Sequence, residues 1–301
     1  MPTILITGAN GFLGKNLTNF LCSKLNYDIY GLIRKKNSNE GFSIKENLKI
    51  IDFDDKFSNL FSIVEDINPD IIIHTATYFH AEHTPQDILP MINGTYSFGN
   101  YLLESLTKKG SKFFFINTGT SWQHFNNSES YRATCLHSAH KEAFEKLLEY
   151  YSDVYGFGYT TLKLFDTYGP NDKRKKIVNI LIDEIAKNNQ VDLSPGEQLI
   201  DLVHIFDICE AYEKIINMYL DGVKIDSSYG LSSGEEIPLK EIASIIINNL
   251  DPNYKKLNWG ARSYRDREVM FNWRKNMNLI PGWSPKIPLK SGLIDVIKSR
   301  I

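Results

Sequence analysis

Three glycines near the start of the chain have the spacing of a phosphate-binding turn. They lie in residues 7–14, which read Thr7-Gly8-Ala9-Asn10-Gly11-Phe12-Leu13-Gly14. A short apolar run, predicted to be a strand, precedes this segment, and residues 12–25 have the apolar spacing of a helix. Such glycines permit a tight turn, the close approach of a pyrophosphate and close helix–strand packing, while the helix N-terminus attracts the phosphates. This context predicts a dinucleotide site, and a purely structural glycine turn is the alternative.

The residues that end the second predicted strand indicate which dinucleotide is bound. An acidic side chain at this point normally binds the ribose hydroxyls of NAD. Here the sequence reads Ile33-Arg34-Lys35-Lys36, and these cations suit the additional 2′-phosphate of NADP. We therefore predict that NADP(H) is favoured over NAD(H), with a solvated basic turn as the alternative. Asp52 ends the third predicted strand and is either a ligand of the adenine amino group or a turn cap.

Strand and helix patterns alternate through the first half of the chain. Strands are predicted over residues 3–7, 29–33, 48–51, 71–73, 112–116 and 158–165, and helices over 12–25, 57–67, 86–107 and 136–154. This alternation implies an α/β fold with a parallel sheet covered on both faces, and right-handed crossovers make the sheet doubly wound. Residues 1–165 are predicted to form this dinucleotide-binding domain, to which residues 197–228 return. Residues 166–196 and 229–301 alternate less regularly and predict a smaller lobe at the sheet edge.

The composition excludes several classes of protein. Of 301 residues, 42% are hydrophobic and 23% charged, as in an ordinary soluble globular protein. The formal net charge of -2 argues against nucleic-acid binding through a basic surface. We expect no membrane span, because no apolar stretch is long enough, and no signal peptide, because a basic n-region is lacking. Cys22, Cys135 and Cys209 lie far apart, which fits neither a disulfide framework nor a zinc site and predicts a reducing, cytoplasmic location without a metal site.

Further motifs are spread over nearly the whole chain. They are the TGxxGxxG of residues 7–14, His74-Thr75-Ala76-Thr77, Asn93-Gly94-Thr95, Tyr168-Gly169-Pro170, Gly196-Glu197-Gln198 with Asp201, Val203, His204 and Asp207, and Gly282-Trp283-Ser284-Pro285. In this order they resemble the extended short-chain dehydrogenase/reductase family of nucleotide-sugar epimerases, dehydratases and ketoreductases. The Gly-Glu-Gln run and residues 265–271 resemble most closely its CDP-abequose synthase-like 4-ketoreductases. The resemblance implies a Rossmann sheet with a smaller C-terminal substrate-binding lobe.

The resemblance also implies the catalytic groups. This family uses a Ser or Thr at the end of the fifth strand and a Tyr-x-x-x-Lys pair on the next helix, where the tyrosine exchanges a proton with the sugar oxygen. Thr118 and Lys141 take the first and last of these positions, but His137 stands in place of the tyrosine. The i, i+4 spacing keeps both side chains on one helix face. Histidine can act as an acid or a base, yet Lys141 should depress its pKa, which makes His137 a fair base and a poorer acid.

Two neighbours of the catalytic helix are alternatives to His137. His140 either partners His137 or faces solvent, and Tyr131 reaches the site only if a loop carries it there. A further alternative is that the histidine marks a weakened enzyme or a protein that binds a nucleotide sugar without turnover. The run Thr118-Gly119-Thr120 differs from the Thr-Asp-Glu of the family's 4,6-dehydratases, so we do not expect dehydration.

Cofactor and substrate contacts are carried over from the family by position. Cofactor contacts are expected at Gly8, Asn10, Gly11, Phe12, Leu13, Gly14, Arg34, Asp52, Phe53, Thr75, Ala76 and Lys141, and substrate contacts at Thr77, Thr120 and Arg265. Arg265 suits the substrate diphosphate because a guanidinium matches phosphate oxygens. Asp166 lies where many relatives carry an asparagine, and its carboxylate would repel a phosphate.

These observations predict an NAD(P)-dependent oxidoreductase that acts on a nucleotide-linked sugar, as a 4-ketoreductase in surface-polysaccharide (O-antigen) synthesis. A 4-epimerase, a 4-dehydrogenase and a non-catalytic nucleotide-sugar-binding relative are the alternatives, and His137 as a base favours the dehydrogenase. No nucleic acid or membrane partner is expected. Relatives commonly form homodimers through the two helices that flank the catalytic strand. The apolar residues that would form that interface, or merely face the sheet, are Phe98, Leu102, Phe144, Leu148 and Tyr151.

Overall fold

Seven parallel strands form the central sheet of the structure, a computed structural model that describes residues 1–34, 41–108, 110 and 112–301. The strands of the described residues are β1 (Thr3–Thr7), β2 (Asp28–Arg34), β3 (Leu48–Phe53), β4 (Ile71–His74), β5 (Phe114–Thr120), β6 (Gly158–Leu164), β7 (Asp166–Tyr168), β8 (Val191–Leu193), β9 (Leu199–Ile200), β10 (Leu202–His204), β11 (Ser228–Leu231), β12 (Ile237–Pro238) and β13 (Leu257–Trp259). The sheet has the spatial order β11-β6-β5-β4-β1-β2-β3, and all its neighbouring strands run parallel. The predicted doubly wound parallel sheet is confirmed, with its change of winding direction between β1 and β4.

Helices cover both faces of this sheet. The α-helices of the described residues are α1 (Phe12–Cys22), α2 (Asn59–Ile67), α3 (Ile88–Met91), α4 (Phe98–Lys108), α5 (Leu136–Tyr155), α6 (Ile177–Ala186), α7 (Ile205–Leu220), α8 (Leu239–Leu250) and α9 (Leu289–Arg300). In β1, Ile4 and Ile6 pack into one apolar cluster and Leu5 into another, because successive side chains of a strand point to opposite faces. Helices α1 and α7 pack into the first cluster, and α2, α4 and α5 into the second.

The long helix predicted after β4 is interrupted by a π-helical segment. A 3₁₀ turn, Pro85–Asp87, leads into α3, and the π-helix Ile92–Ser97 joins α3 to α4. A Cβ atom at Gly94, inside the π-helix, would lie 3.1 Å from the Cβ of Tyr78 and 3.4 Å from Nη2 of Arg34. Segments of this kind often occur at functional sites. Here the bare glycine backbone lets the segment approach the carboxyl ends of β2 and β4.

A third apolar cluster lies in the part of the chain that is predicted to form the smaller lobe. It is built from the inner faces of α6, α8 and α9, beside the two-stranded pairs β10–β7, β12–β9 and β13–β8. Strand β11 instead pairs with β6 at the edge of the central sheet, so the predicted lobe segment 229–301 begins inside a strand of the sheet. Ser228–Leu231 lacks a continuous apolar run, which explains why this strand was not predicted. The division of the chain into two domains stays a prediction.

The helices proposed for a subunit interface, α4 and α5, bury the five residues named for that role. These residues, Phe98, Leu102, Phe144, Leu148 and Tyr151, all lie in the apolar cluster against the sheet. The prediction that they supply a subunit interface is therefore wrong, and their alternative role, facing the sheet, is correct. The large exposed residues of the two helices are Tyr101, Tyr150, Val154 and Tyr155.

Several other features of the described residues bear on the sequence expectations. Cys22, Cys135 and Cys209 are free thiols. Among the described residues, no cluster of three or more His, Cys, Asp or Glu side chains could hold a metal ion. No helix in this part of the chain combines the length and the apolar character needed to cross a membrane.

Candidate active site

A cavity of about 700 Å³ opens at the carboxyl ends of the central strands. Its wall includes residues that follow β1, β2, β4, β5 and β6, together with residues of α1 and α5. In open α/β sheets, ligands bind in the crevice where the winding of the sheet changes direction. The cavity lies at this point, between β1 and β4, and it brings the predicted glycine turn and the predicted catalytic groups into one space.

The glycine turn forms one end of the cavity. Its lining residues are Gly8, Asn10, Gly11, Phe12, Leu13 and Gly14. Gly8 has φ +66°, and a Cβ atom there would lie 2.8 Å from the Cα of Ala76. A Cβ at Gly14 would collide with the carbonyl oxygen of Gly8. Helix α1 begins directly after Gly11, so the free N–H groups of its first turn lie beside the glycines. Side chains in place of these glycines would fill the space in front of the helix N-terminus. This arrangement fits the pyrophosphate of a dinucleotide.

The ends of β2 and β3 line the neighbouring part of the cavity. Arg34 and Phe53 belong to its wall, and Nε of Arg34 lies 3.4 Å from Oδ1 of Asp55. Asp52 is exposed and lies outside the cavity wall, since it points to the opposite face of β3 from Phe53. Lys35 and Lys36 lie outside the described residues. Arg34 is therefore the cation that this part of the structure offers to a phosphate, and Asp55 competes for it.

The segment after β4 crosses the middle of the cavity. Thr75, Ala76 and Thr77 all line it. The hydroxyl of Thr75 donates to the carbonyl oxygen of Thr7 at 2.7 Å, which ties the segment to β1. The hydroxyls of Thr77 and Thr95 lie 3.1 Å apart, which ties it to the π-helix. The predicted contacts in this segment are thus held in place by both neighbouring elements.

His137 and Lys141 lie on the cavity side of α5. Both side chains line the cavity and are almost fully buried. Nδ1 of His137 lies 3.2 Å from the main-chain carbonyl oxygen of Tyr78, and the ring of Phe79 meets the imidazole edge-on with centroids 4.9 Å apart. Burial, and then the positive charge of Lys141, lower the pKa of His137 to about 3. The imidazole is therefore neutral around pH 7.

Lys141 is a buried cation that faces the cavity. Burial lowers its pKa to about 8, while the carboxylate of Glu145, one turn further along α5, opposes this shift. Burying a charged group without a partner is costly, and no hydrogen bond to its ammonium group occurs among the described residues. The side chain is therefore available to bind a polar ligand in the cavity.

Two threonines at the end of β5 line the cavity, but their hydroxyls differ in availability. The Thr118 hydroxyl is 2.7 Å from the hydroxyl of Tyr212, and both residues are buried. Thr120 is half-buried, and its Oγ1 accepts main-chain N–H groups of the turn that follows, from Trp122 at 3.3 Å and from Gln123, which leaves its own proton available to donate. The side chain of Gln123 accepts the N–H of Thr120 at 2.9 Å and so fixes the end of the strand. Thr120 thus offers the freer hydroxyl.

The two alternatives to His137 lie away from the cavity wall. His140 is not among the lining residues, and desolvation by burial, followed by the charge of His83, lowers its pKa. Tyr131 is exposed and also absent from the wall. Neither side chain is in a position to replace His137.

A group of aromatic and charged residues forms one part of the cavity rim. Nζ of Lys176 lies 3.3 Å from Oδ1 of Asp166 and 4.9 Å from the ring centroid of Phe79. Arg265 lies outside the wall, in a bidentate ion pair with Glu268 at 2.9 and 3.0 Å, with its guanidinium 5.7 Å from the ring centroid of Trp122. Arg265 therefore contacts Trp122, a residue of the wall, without lining the cavity itself.

Sequence reasoning missed several residues of the wall and its supports. Lys176, Trp122, Phe79 and Arg174 line the cavity but carry no family motif. Arg174 and Lys176 belong to the basic run of residues 173–176, for which the sequence leaves two roles open, the steering of an anion and a solvated turn. Trp122 lies two residues after the end of β5 and Phe79 five residues after the end of β4, and their position in the segments that follow buried parallel strands is the signal that could have identified them.

Comparisons with known proteins agree with this geometry. Residues 4–227 match the profile of the NAD dependent epimerase/dehydratase family. The chain is similar to a CDP-abequose synthase of Yersinia pseudotuberculosis, with 32% identity over 269 residues, 89% of this chain and 90% of that protein. It is 26% identical over 305 residues to a CDP-abequose synthase of Salmonella typhimurium, which covers 98% of this chain and 97% of that protein.

A solved structure with the same fold contains both kinds of ligand. It is a UDP-glucuronic acid 4-epimerase from Bacillus cereus in complex with UDP-glucuronic acid and NAD. The TM-score is 0.86 with 19% identity, and the match covers 99% of this chain and 98% of that one. At this level of identity the similarity shows the shared fold.

Proposed function

This chain belongs to the NAD dependent epimerase/dehydratase family, and we propose that it reduces the 4-keto group of a nucleotide-linked sugar for O-antigen or related surface-polysaccharide synthesis. The observation that carries the proposal is the shared cavity, in which His137 and Lys141 stand beside the glycine cradle. The similarity to CDP-abequose synthases over nearly the whole chain supports the substrate class.

Each residue of the cavity has a distinct role in this proposal. The glycine turn holds the pyrophosphate of the dinucleotide, which supplies hydride chemistry when bound. Lys141 binds the ribose beside the reacting centre, and its buried charge favours negative charge nearby. Thr120 donates a hydrogen bond to the sugar oxygen, while Thr118 supports the end of β5 through its contact with Tyr212. Asn10, Leu13, Thr75, Ala76, Phe53 and the other lining residues enclose the cofactor.

His137 handles the proton of the sugar oxygen. A carbonyl oxygen can only accept, so the contact with Tyr78 requires the proton on Nδ1 and leaves Nε2 with a lone pair. That form of the ring accepts a proton from an alcohol, and it donates one to a ketone only after taking up a second proton. This observation favours a second candidate function, oxidation at C4, as in a 4-dehydrogenase or the first half of an epimerisation.

NADP(H) is the proposed cofactor in preference to NAD(H). Arg34 lies at the end of β2 and lines the cavity, and a guanidinium binds phosphate oxygens well. The ion pair with Asp55 reduces this advantage, because the carboxylate and a 2′-phosphate compete for the same cation. The proposed preference is therefore moderate in size.

The substrate diphosphate is proposed to lie at the rim near Lys176. Lys176 lines the cavity and pairs with Asp166, so a phosphate would exchange with that carboxylate. Arg265 was the expected ligand, but its bidentate pair with Glu268 and its position outside the cavity wall leave it as an outer contact.

A homodimer is proposed through the exposed faces of α4 and α5. Tyr101, Tyr150, Val154 and Tyr155 are large and exposed on these two helices, and aromatic residues are enriched at protein interfaces. Light scattering at micromolar concentration should give twice the chain mass, and Tyr150→Asp should lower it towards the monomer. A monomer mass for the parent protein contradicts the dimer.

The cytoplasmic location stays a prediction from the cysteine pattern.

Incubation with a panel of CDP- and UDP-linked 4-keto sugars and NADPH tests the reaction. We expect loss of NADPH absorbance with at least one 4-keto sugar, and much slower loss with His137→Ala. Turnover only of 4-hydroxy sugars with NADP⁺ or NAD⁺ would establish the second candidate instead. Binding of a nucleotide sugar without turnover in either direction would identify a non-catalytic relative.

A further inference from the structure

The imidazole of His137 is held by a group that no sequence motif marks. Its Nδ1 lies 3.2 Å from the carbonyl oxygen of Tyr78, a residue 59 positions earlier in the chain. Phe79 packs edge-on against the same ring. Since a main-chain carbonyl has no proton to give, this contact selects one of the two neutral forms of the ring.

Tyr78 is itself fixed from two sides. Its hydroxyl donates to Oδ1 of Asp87 at 2.8 Å. Its Cβ and main-chain nitrogen pack closely against Gly94 of the π-helix, and a Cβ atom added at Gly94 would lie 3.1 and 3.3 Å from these two atoms. A bulkier residue than glycine would displace the Tyr78 backbone, whose carbonyl contacts His137.

Asp87 is anchored more firmly than a surface carboxylate. Its Oδ2 accepts the main-chain N–H and the hydroxyl of Thr84, each at 2.8 Å, and lies 3.2 Å from Nδ1 of His80. The carboxylate has little exposed surface. The loop of residues 78–87 is therefore held together by hydrogen bonds to the Asp87 carboxylate. At the start of this loop, the Tyr78 carbonyl contacts His137 of α5.

We propose that Tyr78, held by Asp87, is a positioning residue that keeps His137 in the Nδ1-protonated form and presents the Nε2 lone pair to the sugar hydroxyl. The role of the presented nitrogen rests on the proposed function, but the selection of the ring form does not. The arrangement follows the general pattern in which a base is oriented by a third group. A tyrosine at position 137 would need no such partner, because its single oxygen both donates and accepts.

Nitrogen NMR of the full-length protein tests the ring form without any substrate. In protein labelled with ¹⁵N-histidine, two-bond proton–nitrogen spectra distinguish protonated from unprotonated ring nitrogens. The signals of His137 among the seven histidines are identified by their loss in His137→Gln. We expect a protonated Nδ1 and an unprotonated Nε2 in the parent protein, and a mixture of both forms in Tyr78→Phe and Asp87→Asn.

The matched control is Tyr151→Phe. Tyr151 lies on the same helix as His137 and donates its hydroxyl to Asn100 and Glu104 at 2.9 and 3.0 Å, so this variant removes a similar contact away from the cavity. It should leave the His137 signals unchanged. A protonated Nε2 in the parent protein overturns the proposal. So does a parent-like ring form in both Tyr78→Phe and Asp87→Asn.

Turnover provides an independent readout if the proposed reaction is found. In Tyr78→Phe we expect kcat to fall about tenfold, as for the loss of one hydrogen bond to a charged group, with an unchanged KM for the dinucleotide. If no nucleotide sugar is turned over, the proposed function fails, while the NMR result still decides the ring form. If Asp87→Asn does not fold, Tyr78→Phe, which keeps the ring and the backbone, carries the test.

Discussion

The histidine at position 137 should give sugar reduction a pH dependence that a tyrosine would not give. Burial and Lys141 lower the pKa of His137 to about 3. The Nδ1 proton is donated to the Tyr78 carbonyl oxygen and is not available to the sugar. A proton for the sugar oxygen must therefore first bind Nε2. At pH 7 the doubly protonated ring has a population of about 10⁻⁴, and each further pH unit lowers it tenfold.

The magnitude follows from this population. Between about pH 5 and pH 8, kcat/KM for reduction of a 4-keto sugar should fall about tenfold per unit, or about 10³-fold in all. Oxidation of the corresponding alcohol should change little over this range, because the neutral ring that it needs is already fully populated. The slope requires only that the pKa of His137 lies below the range, so moderate changes in that pKa on ligand binding do not remove it.

Two substitutions separate the proton carrier from other titrating groups. His137→Tyr supplies a phenol that keeps its proton near neutral pH, so its reduction rate should be nearly flat up to the pKa of that phenol and should exceed the parent rate near pH 8. His137→Ala should lose about 10²-fold or more near pH 5, where the parent is fastest, and this difference should shrink as the pH rises, because the variant lacks the group whose protonation limits the parent. Initial rates of NADPH loss across the pH range provide the measurement. A flat reduction profile in the parent protein would refute the role of His137 as proton carrier.

Three further results are expected. In fluorescence titrations the parent should bind NADPH more tightly than NADH. Arg34→Ala should remove much of this difference in affinity, and Asp55→Ala should increase it. Equal affinities of the parent for the two dinucleotides would contradict the preference. Lys141→Ala should weaken both dinucleotide binding and turnover, and an unchanged dinucleotide Kd would argue against its role at the ribose. Burial, and then Lys141, lower the pKa of His74 from 6.5 to about 3, so this residue contributes stability that is complete above pH 6.5 and is lost as the pH falls towards 3. In urea unfolding, His74→Asn should reduce that loss by about 1.4 kcal/mol per pH unit, and an unchanged slope would show that His74 is not its source.

Local geometry explains which parts of the site could be predicted. The glycine turn sits between one strand and one helix. Gly14 is required by a contact within the turn, with Gly8, whereas Gly8 is also required by the approach of Ala76, which follows the neighbouring strand β4. His137 and Lys141 share a helix face because of their spacing alone. These arrangements depend on regular elements, and a sequence contains enough information to place them.

Contacts between distant elements explain which parts could not be predicted. The hydroxyl of Thr118 is taken by Tyr212, 94 positions away, and no pattern in the sequence links α7 to the end of β5. The five apolar residues of α4 and α5 face the sheet, because a helix beside a parallel sheet must bury one face there before it can offer another to a partner. Asp52 and Phe53 differ by a single step along β3, which turns one out of the cavity and the other into it. That alternation could have been applied to the sequence.

The contact at Nδ1 also bears on whether the histidine marks a lost activity. An imidazole has two different ring nitrogens, so a site that uses one of them as a base must control the other. A protein that only binds its ligand has no need of that control, and a neutral buried histidine would then be free to adopt either form. Here the Tyr78 carbonyl, supported by Asp87 and by the glycine at position 94, makes the choice. The surroundings of His137 therefore favour a working base over the remnant of a lost activity. They also mean that His137→Tyr removes the hydrogen bond to the Tyr78 carbonyl, so the tyrosine variant gains a better acid but holds that group in place less firmly.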